Sequence, residues 1–396
     1  MSFERPYEGI KVLDMSQGIA GPYCAMLLAQ HGAEVVKVEP LQGDWARGLG
    51  ASNGNHTDYS FIANFGKRSL AIDLKSDEAR GIIDALVAEA DVFFEGFRPG
   101  VIDRLGYGHE RLMALNPGLI YVSISGFGQV GPLRGKPAMD PVLQAFTGYM
   151  LDNKGEDGIP HRTHTVINDM STALYAFQAV TPALYGKRDG AKGRYLDISL
   201  MRGAANLSVI RVMTASQEGE LQRNLRTTPS GIFKTAEGWL QLVTLQDKDF
   251  LALCDILGRD DWKADESLRG NEGRRAQADM LWDGVAEALL SKPAAQWREI
   301  FTGAGLQNEM LQSFNEFLAH PQVRETELFS YIPLAGLEQP MPMPNPPGIP
   351  KIEPDTSFGV SPVTGQHSDE VLVQLGHDAD FIADLRQRGV ITTWTG

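Results

Sequence analysis

Asn168 and Asp169 stand directly ahead of an apolar run in which Ala173, Phe177, Val180 and Leu184 recur at helical spacing. A carboxylate in that place has two uses. It can cap the helix by accepting backbone N–H groups that the first turn leaves unpaired, or it can attack an electrophilic carbonyl as a nucleophile. The local pattern alone fits the cap and leaves the nucleophile open. Pro182, inside the same run, is expected to kink or end the helix, because it has no N–H and its ring crowds the turn before it.

Other candidate chemistry is weaker. "GFGQVG", Gly126 to Gly131, has the glycine spacing of a dinucleotide-binding turn, but Pro132, Gly135 and Pro137 follow where a helix should open to hold a pyrophosphate. It reads as a loop at a strand's carboxyl end. His161 and His164 form an HxxH pair in a loop with no third ligand at metal spacing, so no metal is expected. No GxSxG elbow supports serine hydrolysis. Cys24, on an apolar helix, reads as a packed small residue. Seven cations (Lys67, Arg68, Lys75, Arg98, Arg104, Arg134 and Lys136) cluster after strand ends and suggest a local phosphate-binding patch.

The elements that would position these residues are legible. "KVLDMSQGIAGPYCAMLLAQHGAEVVKVEP" reads as strand, loop, helix, strand, with Pro22 just inside the helix and Gly32 just past it. Further strands are "RSLAIDL", "DVFFEGF", "LIYVSIS" and "RYLDISL", with a helix at "SDEARGIIDALVAEA". Alternating strands and helices imply an α/β fold, a mostly parallel, doubly wound Rossmann-like sheet whose ligands gather at the carboxyl ends of the strands. Beyond residue 215 a hairpin at "GIFKTAEGWLQLV" and two amphipathic helices suggest a smaller α+β domain. The expected division is 1–215 for the first part of the large domain, 216–330 for the small one, and 331–396 for a proline-rich strap and a helix rejoining the large domain.

The chain has 396 residues, enough for two or three domains, with 43% hydrophobic residues. Its 36 Lys and Arg against 50 Asp and Glu, a net charge of -14, argue against nucleic acid and anionic membrane as partners. With no apolar signal core, no membrane-length apolar stretch and two unpaired cysteines, a cytoplasmic protein is expected.

Several stretches, in order, resemble the family III coenzyme A transferases (the CaiB/BaiF family), which also include acyl-CoA racemases. They are "GIKVLDMSQGIAGPYCAMLLAQHGAEVVKVEP", "GDWAR", "GKRSLAIDLK", "EGFRPGVIDRLGYG", "LNPGLIYVSISGFGQVGP" and "GQHSDEVLVQLG", spread from residue 9 to 376. The resemblance implies an interlocked homodimer and puts Asp169 in the place of the family's catalytic aspartate, with Asp140 and Gln17 beside it. It implies that coenzyme A is held by Ile19, Ala20, Ile72, Asp73, Leu74, Lys75, Gly96, Phe97, Arg98, Arg104 and Lys136. The partners it implies are an acyl-CoA and a small carboxylic acid, with no permanently bound cofactor.

The implied reaction passes CoA from a thioester to a free acid through an aspartyl anhydride and an aspartyl-CoA thioester. The glycines from Gly126 to Gly131 would let a loop cover the site and offer N–H groups to an oxyanion, and "TTPSGIF" would supply a second cover. Two rivals follow. A racemase needs two acid–base groups, yet Met139 precedes Asp140 where racemase relatives have histidine. A silent CoA-binding protein would have no use for Asp169.

Overall fold

The computed structural model describes residues 5–53, 56–155, 158–218, 228–334, 337–354 and 356–394. The chain forms two compact units, Met1–Val212 with Glu327–Gly396, and Met213–Thr326.

The larger unit is built on a seven-stranded sheet. Its strand order is Ile391–Thr392, Lys67–Ile72, Glu34–Glu39, Lys11–Asp14, Val92–Glu95, Ile120–Ser125, Tyr195–Ser199. All neighbours pair parallel except the short edge strand Ile391–Thr392, which runs antiparallel to Lys67–Ile72. Parallel strands covered on both faces read as near-continuous apolar runs, and all six residues of Ile120–Ser125 are buried. One face packs Cys24, Met26, Leu28, Phe94, Val122, Ala173 and Val180. The other packs Leu13, Val36, Leu70, Phe93 and Tyr121 against Val371, Leu372 and Leu385 of the carboxyl-terminal helices.

The chain starts at the central strand Lys11–Asp14 and winds outward first one way, then the other. The order therefore reverses between Lys11–Asp14 and Val92–Glu95. At such a switch point the loops leaving the two strands diverge and open a crevice. Those loops carry Ser16–Ile19 and Gly96–Arg98.

Helix Ile167–Arg188 contains Pro182 and does not stop there. One main-chain bond is lost at that position, but Val180 and Leu184 on either side are buried against the core, and that packing carries the helix six residues further. The proline-rich segment also differs from a plain strap: Met341–Pro344 pairs antiparallel with Phe329–Ile332. A two-stranded ribbon consists only of edges, where proline's missing N–H is tolerated.

The smaller unit has an antiparallel sheet in the order Gln307–Met310, Trp239–Val243, Gly231–Lys234, covered by helices around Phe233, Leu240, Phe250, Trp297 and Phe301. The hairpin is the expected one. The third strand, "QNEM", is polar and shows no strand signal in the sequence. Thr227 of "TTPSGIF" lies outside the described residues. No helix among the described residues is long and apolar enough to cross a membrane.

Candidate active site

At the switch point lies a cavity of about 290 Å³. Its wall comes from the loop after Lys11–Asp14 (Ser16, Gln17, Ile19, Ala20), the loop after Val92–Glu95 (Gly96, Arg98), the end of Ile120–Ser125 with Gly126, and Ala138 and Met139. Trp45, Leu200 and Asp169 complete it.

Asp169 is the third residue of its helix, but its side chain is not the cap. Asp140, 29 residues earlier, does that work: its Oδ2 accepts the N–H of Asn168 at 2.7 Å and that of Asp169 at 3.4 Å. Asp140 is itself buried and held by Gln144 Nε2 at 2.6 Å. Asn168 Nδ2 adds a bond to the Asp140 carbonyl at 3.3 Å. The helix's unpaired donors are thus met by a distant carboxylate, and the Asp169 carboxyl is left facing the cavity.

That carboxyl is half-buried, open to the cavity yet surrounded by enough protein to lose most of its water. Burial pushes its pKa up from 3.8 to about 7, and the neighbouring Asp140 charge pushes the same way. An aspartate held there ionises only near neutrality, and its anion is poorly solvated and correspondingly nucleophilic.

Of the residues expected at the site, Gln17, Ile19, Ala20, Gly96, Arg98 and Asp169 line this one cavity. The others lie elsewhere. Ile72 is wholly buried, and Leu74 and Phe97 pack on the second core. Asp73 bonds the N–H of Lys75 at 3.0 Å, while Lys75, Arg104 and Lys136 are exposed. Lys136 lies over the Phe127 ring, 5.6 Å from its centroid.

Two members of the expected cation patch are not free. Lys67 opens a strand rather than following one, is buried, and donates to Asp14 at 2.8 Å and to the Pro22 carbonyl at 2.8 Å. Burial pulls its ammonium down to about 8, against the attraction of Asp14. Arg68 reaches Glu370 at 3.1 Å and Gln374. Residue type cannot reveal such pairing, because the partners are distant in sequence.

In the loop after Ile120–Ser125, Gly128 takes φ +92° and its N–H goes to Ser125 Oγ at 3.1 Å, while the N–H of Gln129 goes to Asp197 at 3.3 Å. Neither is therefore a free oxyanion donor. Gly126 reaches the cavity, and a Cβ added there would come within 2.2 Å of the Ala138 Cβ. Gly126→Ala is expected to push the 126–139 segment outward and raise the KM for the substrate that fills this cavity about tenfold with a smaller change in kcat. Steady-state kinetics check this.

His161 and His164 are exposed, and among the described residues no group of three or more His, Cys, Asp or Glu is placed to hold a metal. Cys24 is fully buried, and burial pushes its thiol up, which makes it inert. Residues not anticipated are Trp45, Ser125 and Leu200 in the wall, and Glu95 behind it. Glu95 is buried and accepts the N–H of Phe97 at 2.9 Å, and burial raises its pKa to about 7. Its position at a strand's carboxyl end was the available signal.

A switch-point cavity whose wall carries a carboxyl raised to about 7 is the kind of site an α/β enzyme uses. The family model described as CoA-transferase family III matches residues 7–368. The chain belongs to CoA-transferase family III and is an enzyme of that family. It is 34% identical over 308 residues to the acetyl-CoA:oxalate CoA-transferase of Acetobacter aceti, covering 76% of this chain and 79% of that one. It is 30% identical to the succinyl-CoA--D-citramalate CoA-transferase of Chloroflexus aurantiacus, covering 98% of each. A solved CaiB/BaiF family protein from Brucella suis superposes with a TM-score of 0.81 at 26% identity, over 94% of this chain and 100% of that one.

Proposed function

We propose that this enzyme moves coenzyme A from an acyl-CoA to a free carboxylic acid with Asp169 as nucleophile. The observation that carries the reading is the Asp169 carboxyl, relieved of capping by Asp140 and facing the cavity. An Asp169 oxygen attacks the thioester carbonyl; the carbon–sulfur bond breaks and the CoA thiolate leaves a mixed anhydride. The thiolate then attacks the aspartyl carbonyl, releasing the first acid and giving an aspartyl-CoA thioester. The acceptor carboxylate attacks that thioester and frees the thiolate again. Attack of the thiolate on the new acyl carbonyl yields product and restores the Asp169 carboxylate. The anhydride intermediates hydrolyse readily, so closure against water is part of the reading.

Gln17, on the same wall, is read as orienting the reacting carboxyl groups, and Arg98 as meeting an anionic part of the CoA or acid. Asp140 acts on Asp169 through its charge and through the helix start. Of the remaining binding residues expected, those from Asp73 to Lys75 and Phe97, Arg104 and Lys136 are read as serving the outer parts of coenzyme A, while Ile72, wholly buried, only packs beneath them. Dicarboxylic acids and their CoA esters head the substrate class, because the relatives' names include oxalate and citramalate. A homodimer is supported by the apolar side chains that this unit leaves exposed, among them Phe146, Leu151 and Ile210.

The test pairs succinyl-CoA, acetyl-CoA and an aromatic acyl-CoA with a panel of free acids and follows the thioesters by mass spectrometry. Exchange of at least one dicarboxyl pair is expected. Hydrolysis of every donor without exchange sinks the reading. A racemase would instead carry deuterium from solvent into a 2-methylacyl-CoA. No such exchange is expected, because Met139, on the cavity wall, has no proton to trade.

A further inference from the structure

Beside the cavity runs a closed set of buried charges. Asp14, Lys37, Asp44 and Lys67 are none of them more than 3% exposed, two anions against two cations. Lys37 Nζ donates to Asp44 Oδ2 at 2.9 Å and also to the Ser16 carbonyl. Asp44 then reaches two pieces of main chain. Its oxygens accept the N–H of Gly18 at 3.0 and 3.1 Å, and Oδ1 also accepts that of Ala46 at 2.9 Å. Its own N–H donates to Glu39 Oε2 at 2.9 Å, and Glu39 is clamped by two bonds of 2.8 Å from Arg47.

These bonds end beside cavity-wall residues. Ser16, Gln17 and Ile19 flank the two points held in the first loop, and Trp45 lies between Asp44 and the bonded Ala46. The Trp45 indole crosses Gly18 so closely that a Cβ there would come within 2.4 Å of the ring, and Gly18 has φ +82°. Only glycine suits both conditions. The loop and the indole are thus seated on each other, and one carboxylate holds both.

Stability is a poor reason for such a set, since a buried ion pair is often no better than apolar side chains of equal volume. Its bonds to two separate stretches of main chain are a better one. We infer that Asp44 and Lys37 are positioning residues, holding the Ser16–Ile19 loop and Trp45 in the arrangement that shapes the Asp169 cavity for an acyl-CoA. The inference rests on the proposed use of that cavity.

The decisive variant is Lys37→Met with Asp44→Leu, which removes one charge of each sign and leaves Asp14 paired with Lys67. Full-length protein is labelled with 5-fluorotryptophan, and the Trp45 resonance is assigned by its loss in Trp45→Phe. The double variant is expected to stay folded at assay temperature, melting below wild type because the Gly18 and Ala46 N–H groups lose their acceptor, and to show a displaced or broadened Trp45 signal. Its kcat/KM for thioester exchange should fall about tenfold or more, chiefly through KM. A wild-type Trp45 resonance with unchanged kcat and KM overturns the inference, and so does activity that recovers in step with melting temperature. If the double variant does not fold, Asp44→Asn reads the same quantities: its amide keeps the shape and loses the pull on Lys37, and an unmoved Trp45 signal overturns the inference there too. The fluorine measurement needs no turnover. If wild type exchanges no thioester at all, the proposed activity fails while the positioning result still stands or falls on Trp45.

Discussion

Asp169→Asn and Asp169→Ala are expected to lower kcat for CoA exchange by at least about a thousandfold, because Asp169 is the one carboxylate among the described residues lining the cavity and the proposed covalent route is lost with it. Binding of free coenzyme A, followed by calorimetry, should change by less than about tenfold, since the carboxylate contributes to reaction rather than to holding the nucleotide. A silent CoA-binding protein would pass the binding test and show no turnover to lose. An Asp169→Asn enzyme that still exchanged at wild-type rate would end the nucleophile assignment.

The same variant carries a stability signature with a definite sign. With its pKa raised from 3.8 to about 7, the folded protein keeps a proton on Asp169 that the unfolded chain has already released over that window. Stability is therefore lost as pH rises from about 4 to about 7, and Asp169→Asn is spared that loss. The Asn variant should melt higher than wild type at pH 8, by a difference on the order of 1–3 kcal/mol, and lose the advantage at pH 4. A residue whose removal both stabilises the fold and abolishes turnover is one kept for chemistry.

The second large effect is on the pH profile. Attack needs the ionised carboxyl, so kcat/KM should fall about tenfold per pH unit below an acid limb at about pH 7. Asp140→Asn removes the charge that helps hold that limb up, so the limb should move toward lower pH. At pH 5.5 the variant should retain a larger share of its own plateau activity than wild type does. The plateau itself should drop, because an amide caps the Asn168 and Asp169 N–H groups less strongly than a carboxylate. Glu95 titrates in the same range and holds the Phe97 N–H, so it is the rival source of the limb. Glu95→Gln should leave the limb in place. A limb that moves with Glu95→Gln and stays put with Asp140→Asn would reassign it.

Much of the large unit was legible because its physics is local. A parallel strand buried on both faces reads as a largely apolar run, and "VFFE" and "IYVSIS" say so, while the β-branched residues of "KVLD" and "EVVKVE" mark strands despite the charges among them. Alternation with helices then placed ligands at the carboxyl ends of the strands. The polar strand Gln307–Met310 was not legible, since what supports it is its pairing with Trp239–Val243, a strand far earlier in the chain. At Pro182 the sequence left a kink or an end open, and the helix does not end there: the rule about a missing N–H is local, and the packing of Val180 and Leu184 is not.

The sequence by itself determined the alternating strands and helices of the large unit and Asp169 at the head of a helix, consequences of apolar periodicity and short-range backbone chemistry; the strand order that puts a switch point beside Ser16 and Gly96 came only with the fold. Tertiary structure decided which carboxylate caps that helix and which is left free, and which lysines are spent inside the protein rather than offered to a phosphate. Asp140 lies 28 residues from the N–H it caps at Asn168. Lys67 lies 53 residues from Asp14. Hydrogen bonds and ion pairs act over a few ångströms of space whatever the separation along the chain, so only the folded arrangement assigns them.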